Sequence, residues 1–390
     1  MDGAGSATVG VLGSYGGRNV GDEAILAALL DRVRAGRPDT DFVIFSRHPE
    51  HTRSVHPEVE VVRWEGVCRE GISAHLRRLD VLVLGGGGIL YDTEARRYLR
   101  TARTAQDLGV PVFTYAVGAG PLTDEADCAW VRTVLSDAVE VTVRDEESKL
   151  VLEEAGLTRP ITVTADPALL LVPGDRGGAL LRAEAVPRRV RLVGMSVREP
   201  GRAAEHLDEE GYHQLLASVG DFLVHRLDAH IVFVSMERGD IRHAHAVASR
   251  MAEADRCTVL RGDHGPQQVL DIVSQLDLAV GMRLHFLIFA ALAGIPLLPL
   301  PYAGKVFDFA QQIGAPALHG VVRETAGLLL AEVDRLWDER RARAAETAVR
   351  TAAMRLRAAE TAERLLAYLD GGAASRVLQG VTSVPASPVG

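Results

Sequence analysis

Short runs of aliphatic and β-branched residues recur along the chain, each closed by glycine or aspartate and followed by a stretch whose apolar positions fall at helical spacing. In the first half, Thr8–Leu12, Phe42–Phe45, Val59–Val62, Val81–Leu84, Val112–Val117, Glu140–Val143 and Ile161–Thr164 read as strands, with a helix from about Gly21 to Arg34 after the first. After the loop-like Pro173-Gly174-Asp175-Arg176-Gly177-Gly178 the alternation restarts. Strands are expected at Arg191–Val197, Ile231–Ser235, Thr258–Leu260, Leu278–Gly281 and Ile295–Leu300, with helices near Glu210–Leu227, Gln267–Gln275 and Leu284–Ala293. Such alternation predicts βαβ units and parallel sheets, so the expected fold class is α/β, two Rossmann-like domains with a cleft between them. The N-terminal domain is placed at 1–175 and the C-terminal one at 188–324.

Residues 325–369 are almost unbroken helix former, with Trp337, Met354, Leu356, Leu365, Leu366 and Tyr368 as apolar positions. This segment is expected to cross back and brace the N-terminal half. The alternative, peripheral contact with a membrane that carries a lipid-linked acceptor, is disfavoured because its apolar face is mostly alanine. Residues 370–390 read as a disordered tail rich in Gly, Ser, Pro and Val.

At 390 residues, 47% of them apolar, the chain is long enough for two cores. A net charge of −9 sets nucleic acid aside. Cys68, Cys128 and Cys257 are odd in number, far apart and without C-x-x-C spacing, which argues against a disulfide framework and a zinc site. With no basic leader in Met1–Ser6 and no apolar run of spanning length, a soluble cytoplasmic protein is expected. Of 43 basic residues only Lys149 and Lys305 are lysine, so a single arginine says little, whereas Lys305 is a retained point charge. Nothing in the pattern speaks to oligomeric state.

Candidate chemistry gathers at predicted strand ends. Gly13 to Glu23 forms a glycine-rich turn opening a helix, where free N–H groups suit an anion or a sugar hydroxyl; its plainer reading is a turn in which Asn19 caps the helix and Asp22 returns a bond. Gly85 to Gly88 follows the strand Val81–Leu84, with Gly86 and Gly87 open to close ligand approach; its plainer reading is a flexible turn. Gly118 repeats the device. Arg144 and Arg198 each follow a strand, placed either to grip an anion or to pair on the surface. The sharpest feature is Gly281-Met282-Arg283-Leu284-His285, a polar pair where a strand meets a wholly apolar helix. There the helix dipole favours bound anions and disfavours an imidazolium, and a histidine can move protons; the plainer reading is a capping histidine. His243 and His245 lie two apart on a helix, share no face, and are not read as a metal pair.

In this order, Asn19-Val20-Gly21-Asp22-Glu23-Ala24, Gly85 to Gly88, Val117-Gly118, Val143-Arg144-Asp145, Asp166-Pro167, Ser196-Val197-Arg198, Gly281 to His285, Gly294-Ile295-Pro296 and Lys305-Val306-Phe307 resemble the polysaccharide pyruvyl transferase family. The resemblance implies a fold similar to the glycosyltransferase type B arrangement, phosphoenolpyruvate as donor and no cofactor or metal. The acceptor is implied to be a sugar, glycan or lipid-linked sugar that gains a pyruvate ketal. It implies Arg283, Leu284 and His285 in donor binding and catalysis, with Arg144 as a second anion-binding arginine; His285, Arg283 and Arg144 are thus the expected catalytic residues, and Leu284, Asn19, Asp22, Gly86, Gly87, Gly118, Arg198 and Lys305 the candidate binding residues. Arg144 and Arg283 are expected to hold the donor's phosphate and carboxylate, with His285 as general acid. Ala303-Gly304 and Ile89-Leu90-Tyr91-Asp92 depart from the family pattern, on loops expected to face the acceptor. A type B glycosyltransferase, a sugar-nucleotide epimerase or a binding protein that keeps the cleft are the other readings.

Overall fold

The computed structural model describes residues 6–201, 207–316 and 326–380. The first sheet comprises β1 (Thr8–Leu12), β2 (Asp41–Ser46), β3 (Glu60–Arg63), β4 (Val81–Leu84), β5 (Gly87–Leu90), β6 (Val112–Ala119), β7 (Glu140–Val143) and β8 (Thr162–Val163). Its order is β3-β2-β1-β4-β6-β7-β8, with β5 also on β6, and every pairing is parallel. The second sheet holds β9 (Arg191–Ser196), β10 (Ala229–Phe233), β11 (Cys257–Val259), β12 (Leu278–Gly281) and β13 (Leu297–Pro299) in the order β11-β10-β9-β12-β13, again all parallel. In both, strand order reverses beside the first strand, where successive connections diverge and leave a crevice at the strands' carboxyl ends.

Strand β5 departs from the expected open turn at Gly85 to Gly88: Gly87 and Gly88 pair with Val117 and Gly118 of β6. The reason lies in packing. A Cβ on Gly86 would stand 2.8 Å from Ile25 Cγ2 and 3.1 Å from the Tyr115 carbonyl oxygen, and Gly87 adopts φ +96°. The missing side chains let backbone approach backbone. The stretch read as loop before the second sheet also contains a helix, Gly177–Ala183, whose N-terminal approach is held by Gly174 N–H donating to Asp271 Oδ1 at 2.7 Å.

The helix Leu284–Leu292 is apolar all round because it is buried between the halves. Phe286, Leu287, Ile288 and Phe289 share one core with Val20, Ala24, Ile25 and Ala28 of the helix Val20–Gly36. The Val20 N–H donates to the Met236 carbonyl across this seam at 2.8 Å.

The last helix, Ala326–Gly380, runs from one half to the other. Leu329, Val333 and Leu336 join the core beneath the second sheet, Met354 and Ala358 join the shared core, and Ala362, Leu365 and Leu369 pack with Val9, Val11 and Leu29 of the first half. Thr361 and Thr164 hydroxyls meet at 2.7 Å, and Arg364 pairs with Glu140 at 2.6 Å. Helix persists through residues 370–380, which composition assigned to a disordered tail. The glycine pair Gly371-Gly372 costs roughly 2 kcal/mol relative to alanine, and a helix already propagating crosses it. Residues 381–390 lie outside the described residues. Among the described residues no helix is long and apolar enough to cross a membrane.

Candidate active site

The loops that leave the carboxyl ends of both sheets enclose a cavity of about 850 Å³. Arg144, Arg198, Arg283, Leu284, His285 and Lys305 line it, together with Asn19, Asp22 and Gly118. Gly86 and Gly87 do not; Gly88 takes their place in the wall.

Arg283 occupies the N-cap position of the helix Leu284–Leu292, so His285 projects from its first turn. The imidazole crosses into the first half. Its Nε2 stands 3.4 Å from Asp166 Oδ2, within ion-pair range but without the alignment of a hydrogen bond. Its Nδ1 edge lies where a Cβ on residue 21 would go, so Gly21 gives it room. Asp166 is itself fixed, because Oδ1 accepts the Ala168 N–H at 3.0 Å and caps the short helix Pro167–Leu170. Burial alone would raise the Asp166 carboxyl, yet His285 and Arg144 outweigh it and hold it down at about 2. The site therefore keeps a permanent negative charge beside the imidazole.

Asn19 caps the helix Val20–Gly36 as expected, accepting from Gly21 N–H at 3.0 Å and Asp22 N–H at 3.4 Å. Asp22 makes no return bond; it turns toward the cavity, with Oδ1 2.9 Å from the position of a Cβ on Gly87. Burial pushes its carboxyl up, a tendency eased by His285, Ser14 and Lys305.

Arg144 is buried rather than paired on the surface. Its Nε meets Asp145 Oδ2 at 3.1 Å and its Nη1 meets Asp166 Oδ2 at 3.4 Å. The guanidinium lies against Gly118, where a Cβ would stand 2.7 Å from its Cζ. Arg144, Asp166 and His285 thus form one chain of alternating charge.

Arg283 is held more tightly than an anion receptor requires. Its Nε donates to both oxygens of the buried Asp240 at 3.1 Å, its Nη2 to Asp240 Oδ1 at 2.5 Å and to Glu237, and Glu199 stands 3.6 Å away. Asn19 Nδ2 donates to Glu237 Oε2 at 3.0 Å, tying this cluster to the first half. Three carboxylates surround one guanidinium, so the expectation that Arg283 receives the donor's phosphate or carboxylate meets a group already matched in charge.

Lys305 is less encumbered. Lys305 makes no ion pair among the described residues; its ammonium stands 5.8 Å from the centre of the Tyr302 ring. The Arg198 guanidinium stacks 3.9 Å over the same ring and also reaches Glu199. Burial would raise the Tyr302 phenol, but Lys305, Arg198 and Arg283 outweigh it and set the phenol below its ordinary range.

Among the described residues, two groups of side chains bring possible metal ligands within 4.8 Å of one another. In Glu199, Glu237 and Asp240 the Arg283 guanidinium already takes the charge. In Glu209, His213 and His243 the facing nitrogens of the two imidazoles share a hydrogen bond of 2.9 Å. The second group joins two helices, and His245 is not part of it.

Asp166, Glu237 and Asp240 were not singled out as site residues from the sequence. Asp166-Pro167 at a strand end was a signal, as was Glu237-Arg238-Gly239-Asp240, whose capping box aims two carboxylates at the junction.

Two parallel α/β halves with polar groups converging at their carboxyl ends define a two-domain scaffold of the glycosyltransferase type B class. Solved structures agree on the fold. Anabaena Alr3699/HepE, solved in complex with UDP, superposes with a TM-score of 0.61 at 13% identity, covering 94% of this chain and 100% of that one. UDP-GlcNAc 2-epimerase from Methanocaldococcus jannaschii gives 0.62 at 11% identity, over 85% of this chain and 93% of that one. Within that class the chain belongs to the polysaccharide pyruvyl transferase family, whose profile matches residues 19–304. It is 20% identical to the amylovoran biosynthesis protein AmsJ of Erwinia amylovora over 382 residues, 84% of this chain and 91% of that protein. Membership makes it a transferase with a pyruvyl-transfer role in polysaccharide biosynthesis.

Proposed function

We propose that the cavity takes phosphoenolpyruvate as donor and a sugar or glycan as acceptor, and forms a pyruvate ketal on two acceptor hydroxyls with release of phosphate. The observation that carries this reading is the placement of the Lys305 ammonium, without an ion pair among the described residues, in the same cavity as the His285–Asp166 pair. A trianionic donor needs several cations around it, of which Lys305 has no ion pair among the described residues, and a methylene carbon needs a proton source.

Lys305, Arg198 and the Tyr302 hydroxyl receive one anionic end of the donor, and Arg144 the other. His285 gives its proton to the methylene carbon, which becomes a methyl group while C2 takes positive charge. One acceptor hydroxyl adds its oxygen to C2; its proton returns to His285. The C2–O bond to phosphate then breaks, and the second hydroxyl closes the ketal, its proton leaving with phosphate. Asp166 holds the imidazole and faces its charge, and Arg283 acts by positioning, through Asp240, the turn from which His285 projects. No metal or cofactor enters this scheme, and the chemistry belongs inside the cell, where phosphoenolpyruvate is made.

Incubation of the protein with phosphoenolpyruvate and a panel of free, nucleotide-linked and lipid-linked sugars tests this. The expected result is phosphate release matched by a product carrying one pyruvate ketal. Stabilisation by nucleotide sugars alone, with no response to phosphoenolpyruvate, would instead favour a glycosyltransferase or epimerase.

A further inference from the structure

The helices Glu209–Leu227 and Arg238–Ala248 pack against each other in the second half. Glu209 and His213 are four apart on the first helix and so share a face, and His243 meets them from the second. None of the three lines the cavity that holds His285. Asp240, whose carboxylate grips Arg283, lies three residues before His243 on the second helix.

Both imidazoles are buried, His213 at 2% and His243 at 3% exposure. His213 Nε2 faces His243 Nδ1 at 2.9 Å, one nitrogen donating and the other accepting. A Glu209 oxygen comes within 4.8 Å of a ring nitrogen of each. Burial holds both imidazoles below their usual pKa, which favours the neutral ring that offers a lone pair. The Glu209 side chain is 52% exposed, so the cluster opens to solvent on one side. There the Arg242 guanidinium stands 3.5 Å from Glu209 Oε2 and 3.3 Å from His243 Nε2, with its side chain 71% exposed. This carboxylate has already drawn a cation, through contacts longer than a good hydrogen bond.

Two imidazoles and a carboxylate are a donor set that suits zinc, with one position left for water. Ligand atoms about 2.0–2.1 Å from a tetrahedral zinc stand about 3.4 Å apart. The two nitrogens must open a little from 2.9 Å, and the exposed Glu209 carboxylate must close from at most 4.8 Å, while Arg242 turns out into solvent. The proton between the rings moves to the outer nitrogen of its own ring, so both lone pairs face the ion and no proton is released. We propose that Glu209, His213 and His243 bind one zinc ion, with water completing the tetrahedron, and that the ion ties the two helices together one turn from Asp240. The ion stands outside the reaction. In the competing account the imidazoles are a plain buried pair, Glu209 and Arg242 are a surface ion pair, and zinc adds nothing.

The test is calorimetric titration of the full chain with zinc at neutral pH, after chelator and dialysis have removed any metal. Cobalt(II) repeats it with visible absorption as the readout, and magnesium is the control. The expected result is one zinc per chain at micromolar concentration, the absorption of tetrahedral cobalt, no response to magnesium and a melting temperature that rises with zinc. Glu209→Gln, at an exposed position, should weaken zinc by about tenfold or more, and His213→Asn by more still. Arg242→Ala removes the competing cation and should bind zinc at least as tightly as wild type. Glu209→Gln keeps the test decisive should His213→Asn fail to fold. The proposal is overturned if zinc does not bind below about 100 µM, or if Glu209→Gln binds it as wild type does, since the ion then sits elsewhere.

Discussion

His285 Nε2, carried by the second half, faces Asp166 Oδ2 of the first half across 3.4 Å. The partner that sets the charge around the proposed acid is therefore supplied from 119 residues earlier in the chain, by a different domain. Asp166→Asn removes that charge while preserving shape, and is expected to lower kcat for pyruvyl transfer by about 10²-fold with little change in KM. It also has a stability consequence. The Asp166 carboxyl is depressed in the folded state, so its contribution is fully present above the ordinary carboxylate range and is lost as pH falls from about 4 to about 2. The difference in melting temperature between wild type and Asp166→Asn should shrink across that window; a constant difference would refute the linkage.

Gly21 lies beneath the His285 ring, where an added Cβ collides with Nδ1. Alanine is a better helix former than glycine by about 1 kcal/mol, so local propensity favours Gly21→Ala. Activity is nonetheless expected to fall by about 10²-fold as the imidazole is pushed off Asp166. A fully active Gly21→Ala enzyme would show that His285 does not work from this position.

Lys305→Met removes from the cavity wall a cation that has no ion pair among the described residues. Affinity for phosphoenolpyruvate, read by calorimetry, is expected to drop by about tenfold or more with an unchanged melting temperature. Unaltered affinity would move the donor's anion elsewhere.

Glu23 gives the opposite pH signature to Asp166. Its folded-state carboxyl is raised from 4.5 to about 7, so its contribution is complete below the unfolded value and is lost as pH rises through that interval. Glu23→Gln lacks this titration. The stability of wild type relative to Glu23→Gln should decline by roughly 3 kcal/mol between those limits, read from chemical unfolding in a pH series.

Leu365 is fully buried where the final helix meets the first half. Leu365→Ala is expected to cost about 2–5 kcal/mol of unfolding free energy without altering affinity for phosphoenolpyruvate. A loss below about 1 kcal/mol would mean that the helix lies on this half without bracing it.

Local pattern carried much of the fold. Val81–Leu84 and Leu278–Gly281 are strands in sequence and structure alike, because unbroken aliphatic runs ended by glycine suit strands buried on both faces. Strand β5 is not legible in the sequence because glycine is a poor strand former, and only the close approach of Tyr115 and Ile25 to Gly86, just before it, and of Asp22 to Gly87 explains glycine there. In the site, Arg283 and His285 stood out because a polar pair before an apolar helix is locally anomalous. Asp240 and Glu237 did not, since their claim rests on meeting Arg283 across a gap of more than forty residues. Nor did the plain position of Glu23 in a first helical turn disclose that it would be buried.

Among the described residues the chain passes between the halves twice, once through the connection from Leu171 to Arg191 and once along the middle of the helix Ala326–Gly380. A body tied to another at two points turns easily only about the line that joins them, as a door hung on two pins does. With both ties in place, His285 has one line of approach to the carboxylate that faces it.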